Sequence, residues 1–410
     1  QRLSIGKLEN KKIVFDESQF LSLEHLLSNF LKEQSQTITS AKDLAKMMAD
    51  KAKLLKDVVS DILINEEEIG DIHSLYHAFK DTLLHDITPQ VFADVYAQTL
   101  AYGLFVARCH DKTKEDFSRY EALSLIPGSN PFLQKLFQHV SGPDLDTRAS
   151  WVVDELATVF LYTDIETILQ KFGSETKQED PVVHFYETFL GEYDKKLKKS
   201  RGVYYTPLPV VQFIVRAVDS VLRKEFDLSD GLADIEKLSS GIHKVQILDP
   251  AVGTGTFLNE TIKHIYKNFE NKKNIWPSYV KNDLISRLHG FELLMAPYTI
   301  CHFKLGLTLK ETGYTEENKR LSVWLTNSLE EGAKELPNVP MGGFLTAEAK
   351  NANKIKNETP IMVVIGNPPY SISSSNRGEW VLNLIKDYKK DLEINGKKEK
   401  KLKKAFEYKR

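Results

Sequence analysis

Over roughly the first 180 residues the apolar positions recur every three or four places, and strand-like alternation is almost absent. Leu44, Met47, Met48, Leu54, Leu55, Val58 and Ile62 predict one amphipathic helix with Ser40 as its N-cap and the acidic run Glu66 to Glu68 as its end. A second helix starts at Pro89 and carries Val91, Val95, Leu100, Leu104 and Phe105. Others fit Trp151 to Phe172 and Val182 to Tyr193, separated from the Pro89 helix by a loop at Ile126 to Pro131. Stripes of this kind read as the core of a helical bundle.

The pattern changes near residue 245. Val245 to Leu258 reads as a strand, a glycine turn at Gly253 and Gly255, and then a helix through Ile262, Ile265, Tyr266 and Phe269. Leu288 to Leu293 reads as the next strand, Pro297 to Gly313 as a helix that stops at its glycine, and Ser322 to Asn327 as a third strand. Ile361 to Ile365 is a further apolar run. Strands alternating with helices predict an open parallel sheet of the α/β class, with ligands bound outside the strands' carboxyl ends.

Candidate chemistry sits at those ends. Bare main chain at Gly253 and Gly255 lets a ligand lie close, and the helix N-terminus behind them favours a carboxylate. Asp249, at the end of its strand, can accept from an ammonium. A turn offering both an anion site and a carboxylate suits the amino-acid end of S-adenosylmethionine better than a pyrophosphate, because the dinucleotide spacing of three glycines is absent. Glu292 ends the next strand and can accept from ribose hydroxyls. Asn327 falls on the rim where the cofactor's adenine would lie. Just after the run that ends at Ile365, Asn367-Pro368-Pro369-Tyr370 combines an amide, two prolines that remove N–H donors, and an aromatic plate. An amide oxygen beside a backbone carbonyl forms a double acceptor for an exocyclic amine, on which Tyr370 can stack.

Gly202 to Pro207 (with Tyr204, Thr206 and Pro207), then the Asp249–Phe257 loop, Glu292, and Asn367 to Tyr370 resemble the ordered motifs of amino-methylating DNA methyltransferases. The order is similar to that of the adenine-N6 group, over roughly residues 181 to 390. The resemblance implies that Tyr204, Thr206 and Pro207 close over the methionine part of S-adenosylmethionine. It implies that Asp249, Ala251, Gly253, Gly255, Thr256 and Phe257 form the loop holding its amino-acid end, that Glu292 binds ribose, and that Asn327 stands at the adenine position, where the family usually carries an acid. Asn367, Pro368, Pro369 and Tyr370 would hold a base flipped out of double-stranded DNA. Gln98 to Phe105 and Pro181 to Leu190 resemble the helical segment ahead of the methyltransferase in single-chain restriction-modification enzymes, of the translocating Type ISP or the simpler Type IIG kind. The expected organisation is therefore an all-helical coupling or spacer domain over 1–180 and a Rossmann-like methyltransferase domain over 181–410. A nuclease or motor and a target-recognition domain are expected elsewhere in the full-length chain.

Composition narrows the alternatives without selecting among them. With 410 residues, 41% of them hydrophobic, two or three cored domains are possible, and a formal charge of −2 requires any DNA-binding surface to be local. Two cysteines, Cys109 and Cys301, give no disulfide framework, which fits a reducing cytoplasm, and no apolar run is long enough to span a bilayer. Each cysteine is followed by a histidine in a predicted helix, so the pairs diverge and no metal site is expected. The lack of a Pro-Cys nucleophile argues against carbon-5 cytosine methylation. Cytosine-N4 methylation, protein-glutamine or RNA methylation, and a non-catalytic coupling module remain alternatives.

Overall fold

A computed structural model describes residues 6–9, 12–23, 37–65, 70–84, 87–113, 116–128, 130–142, 145–176, 181–194, 206–315, 319–332, 343–368, 379–387, 393–394 and 397–398. The chain opens on a hairpin of β1 (Gly6–Glu9) and β2 (Lys12–Phe15), which the sequence pattern does not announce. Among the described residues the helices that follow include α1 (Ala41–Asn65), α2 (Asp71–Thr82), α3 (Pro89–His110), α4 (Arg119–Leu125), α5 (Pro131–Val140), α6 (Thr147–Leu161), α7 (Ile165–Thr176) and α8 (Pro181–Tyr193). Their starts obey the capping rules. Ser40 Oγ accepts from the Asp43 amide at 3.3 Å, and Thr88 Oγ1 accepts from Val91 at 3.3 Å ahead of Pro89. Helix α3 is buried on almost every side from Phe92 to Arg108 and forms the axis of the bundle. The acidic run 66–68 lies outside the described residues.

One expectation fails. Trp151 to Phe172 is two helices, because Tyr162 to Asp164 turn aside to bridge Ile38. Ile38 donates to the Tyr162 carbonyl at 2.8 Å, and the Asp164 amide donates to the Ile38 carbonyl at 3.0 Å. Asp164 then caps α7 through the Thr167 amide, so the break is stabilised from both sides.

The second half is a four-stranded parallel sheet in the order β5-β4-β3-β6, formed by β3 (Ile247–Asp249), β4 (Leu288–Glu292), β5 (Ser322–Leu325) and β6 (Val363–Val364). Helices α9 (Leu208–Glu225), α10 (Thr256–Tyr266), α11 (Met295–Glu311), α12 (Gly343–Glu358) and α13 (Glu379–Asp387) accompany it. Helix α12 has no counterpart among the elements expected from the sequence, although Leu345, Ala349, Ala352 and Ile355 mark its buried stripe. Glu348 anchors α12 to β5: it is buried, accepts from the Leu325 amide at 3.1 Å, and pairs with Arg320.

The two halves share one hydrophobic core. Phe132 of α5 meets Tyr298 of α11 and Phe344 of α12 edge-on, each at 5.5 Å between ring centroids, and His110 of α3 meets Phe303 of α11 at 5.1 Å. Helix α8 packs against α1.

Candidate active site

The carboxyl ends of β3, β4 and β6 converge on one rim. Asp249, the last residue of β3, is 1% exposed, and among the described residues its carboxylate accepts only from the Ala251 amide, at 3.1 Å. Burial with so little compensation, and the nearby Glu292 charge, push its carboxyl up to about 7. A buried acid at a strand end with so few donors is a ready partner for a cation.

After Asp249 the chain turns through Gly253 and Gly255, both at positive φ (54° and 84°), into α10. At Gly255 only glycine fits twice over: the left-handed conformation disfavours a side chain, and a Cβ would lie 2.8 Å from Cys301 Sγ on α11. At Gly253 a Cβ would meet nothing within 4 Å, so the turn faces open space. Lys304 of α11 reaches the Thr256 hydroxyl at 3.3 Å, and Phe257 is buried behind the turn. Ala251 lies half-buried at the turn's start.

Glu292, at the end of β4, acts as a staple. One carboxylate oxygen accepts from the Gly253 amide at 2.9 Å, and the other accepts from the Leu293 and Leu294 amides at 2.9 Å each. These three donors offset part of the burial that raises its carboxyl above the ordinary range. Glu292, expected from the sequence only to bind ribose, also holds the glycine turn through a contact 39 residues away in the chain.

Asn327 lies half-buried just past β5 with its amide engaged at both ends: Oδ1 accepts from the Leu329 amide at 3.0 Å, and Nδ2 donates to Glu330 at 3.0 Å. Lys356 of α12 clamps the same loop, donating to Thr326 Oγ1 at 3.1 Å and to the carbonyls of Asn327 at 2.7 Å and Glu330 at 3.1 Å. Burial lowers its ammonium to about 8.

At β6 the chain passes Gly366 to Asn367 and Pro368, both exposed. Gly366 lies against Asp249 so closely that a Cβ there would sit 2.5 Å from Asp249 Oδ1. The Asn367 loop is thereby seated directly on the buried acid. Asn367 Nδ2 donates to Thr206 Oγ1 at 2.9 Å, which brings Thr206 and Pro207, at the head of α9, to the same rim. Tyr204, Pro369 and Tyr370 fall outside the described residues. Among the described residues no cluster of three or more potential metal ligands occurs, and no helix is long and apolar enough to cross a membrane.

The N-6 DNA methylase family matches residues 177–389, more than half of the chain. The chain belongs to the N-6 DNA methylase family. It is similar to DNA methyltransferase A of Bacillus subtilis, with 26% identity over 202 residues, covering 45% of this chain and 21% of that protein. Among solved structures, the chain in the DrdV–DNA complex shares the fold over 90% of this chain and 33% of its own length (TM-score 0.53, 23% identity). A nuclease-deletion mutant of the Type ISP restriction-modification enzyme LlaGI, in complex with a DNA substrate mimic, does so over 92% and 29% (TM-score 0.56, 20% identity). This N-6 DNA methylase chain thus spans only about a fifth to a third of these relatives.

Proposed function

We propose that this chain carries the methyl-transfer centre of an S-adenosylmethionine-dependent adenine-N6 DNA methyltransferase within a restriction-modification enzyme. The observation that carries the proposal is the seating of Asn367 on Asp249 through Gly366, beside the glycine turn. That arrangement brings a base-amine acceptor next to a cradle suited to an amino acid. The residues fit the cofactor: Asp249 is a buried acid lacking a cation, and Gly253 faces open space at the head of α10. Asp249, Ala251, Gly253, Gly255, Thr256 and Phe257 would hold its amino-acid end, with Glu292, Asn327, Tyr204, Thr206 and Pro207 around the rest.

When bound, S-adenosylmethionine supplies an electrophilic methyl group on a sulfonium. The chain's own residues supply position and charge. Asn367 Oδ1 and the Pro368 carbonyl would accept the two hydrogens of the adenine amine, whose lone pair is otherwise delocalised into the ring. As positive charge grows on that nitrogen, both oxygens stabilise it more in the transition state than in the ground state. No ionised side chain needs to remove a proton first. A duplex hides the amine, so the base must be extruded, and Tyr370 would replace its lost stacking. The resemblance in fold to enzymes solved with DNA supports duplex DNA as the substrate. We extend to this chain a cytoplasmic setting, a helical coupling role for 1–180 ahead of the methyltransferase region, and nuclease or motor and recognition parts in the same polypeptide.

The test is transfer of a labelled methyl group to DNA followed by nucleoside analysis. N6-methyladenine is expected, and Asn367→Ala should lower transfer by at least about a thousandfold while calorimetry shows cofactor affinity within roughly threefold. Transfer undiminished in that variant would reject the assignment, and an N4-methylcytosine product would redirect it.

A further inference from the structure

A cavity of about 720 Å³ lies between the two halves of the molecule, walled by α3, α4 and α5 on one side and by α11 and the chain ahead of β5 on the other. That is the size of a site for a small organic molecule. One line of α11 runs along it: Thr299, His302, Phe303, Gly306 and Lys310 recur every three or four residues and all border the cavity.

Three features of that line are unexplained by packing. Thr299 Oγ1 and His302 Nδ1 are buried and find no hydrogen-bond partner among the described residues, a state that folded proteins rarely leave uncorrected. His302 Nε2 lies 3.2 Å from the Val323 carbonyl, which can only accept, so Nε2 carries the proton and Nδ1 is left as an acceptor. Burial and, after it, the Arg320 charge push the ring down to about 3, so the acceptor persists at neutral pH. Gly306 is the third feature. Helix interiors disfavour glycine, and a Cβ here would meet nothing within 4 Å, so no close approach calls for it. Its effect is to leave the cavity wide.

The rest of the wall says what could enter. Leu125, Leu133 and Leu309 make it apolar, and Phe303 meets His110 edge-on at 5.1 Å. Lys112 and Lys310 are exposed and pair with no carboxylate among the described residues. Of the two acids in the wall, Asp111 is held by Arg108, which leaves Glu166 against Lys112, Lys310 and Lys319. Charge therefore favours an anion. From His302 to Lys310 the helix rises about 12 Å, so a ligand reaching both is longer than a single ring.

We propose that this cavity binds a small molecule in which a planar ring bearing an amine is joined to an anionic group, at the scale of a nucleoside monophosphate. The ring would lie against Phe303 with its amine on His302 Nδ1, and the anion would reach Lys310 and Lys112. Asp249, Glu292 and Asn367 do not border the cavity, so the proposal stands apart from the reading of their rim.

The test is calorimetry of the whole chain with adenosine 5′-monophosphate as the probe, in excess S-adenosylhomocysteine to keep the probe from the rim. Binding at a single site is expected. Adenosine and ribose 5-phosphate, which each lack one half of the ligand, should bind at least about tenfold more weakly. Gly306→Leu should fill the cavity and abolish binding, with a melting temperature at or above the native value because leucine is the better helix former. Lys310→Gln should weaken binding by about threefold in an otherwise native chain. Absence of probe binding, undiminished binding in Gly306→Leu, or equal binding of either fragment would overturn the proposal.

Discussion

Two parts of one rim are built in opposite ways. At the ends of β3 and β4 the chain is wired to itself: Glu292 holds three amides, Gly255 is pressed onto Cys301, and Lys304 reaches Thr256. At the end of β6, a two-residue edge strand whose Val364 is 66% exposed, Asn367 is held on its side chain by Thr206. The first part is a cradle whose shape is fixed before any ligand arrives. The second is a clamp seated on a rigid floor but open above. A ligand that binds identically every time suits the first, and one that must be pulled from a duplex suits the second.

The sharpest way to break this contrast is Gly366→Ala, which places a Cβ into the Asp249 carboxylate. Lifting the clamp by a fraction of an ångström should lower transfer by about a hundredfold, with near-native melting by circular dichroism. Glu292→Gln attacks the cradle. Glutamine has one acceptor oxygen where the staple uses two, so a buried donor is left facing a donor. Cofactor affinity measured by calorimetry should fall by about tenfold or more.

Asp249 gives the pH dependence. Its carboxyl sits at about 7 in the fold against 3.8 as the ordinary value, so the folded chain holds that proton more tightly than the unfolded one. Its contribution to stability is therefore complete below the ordinary value and is lost as pH rises through about 7. Cofactor binding runs the other way, since an ammonium needs the ionised acid. Affinity should drop by about fivefold between pH 7 and pH 6 and level off above about pH 8, and Asp249→Asn should abolish the slope. The smallest effect belongs to Asn327→Ala. Because that amide is turned into its own loop, cofactor affinity should change by roughly twofold.

How much of this was legible beforehand depended on whether a contact was local. The helix starts at Ser40 and Pro89, the strand and turn from Ile247 to Gly255, and the stop at Gly313 are written in adjacent residues, and the structure has them. The order of motifs pointed to the strand ends, where the structure brings Asp249, Glu292 and Asn367 to one rim. The break at Tyr162 was invisible because its cause is Ile38, more than a hundred residues earlier. The same holds for the staple at Glu292 and the Thr206 link to Asn367, where residue type gave a role but not a partner. Asn327 shows the limit from the other side. Its place on the rim was readable, while the engagement of its amide with Leu329 and Glu330 depends on a loop conformation that Lys356 imposes from α12.

Helix α11 abuts the glycine turn through Cys301 and Lys304, and through Phe303 and Tyr298 it bears on α3 and α5 of the helical half. It is a shared beam between two machines. Because core packing tolerates little change of volume, a substitution that enlarges Phe132 bears on the same helix whose Cys301 lies against Gly255.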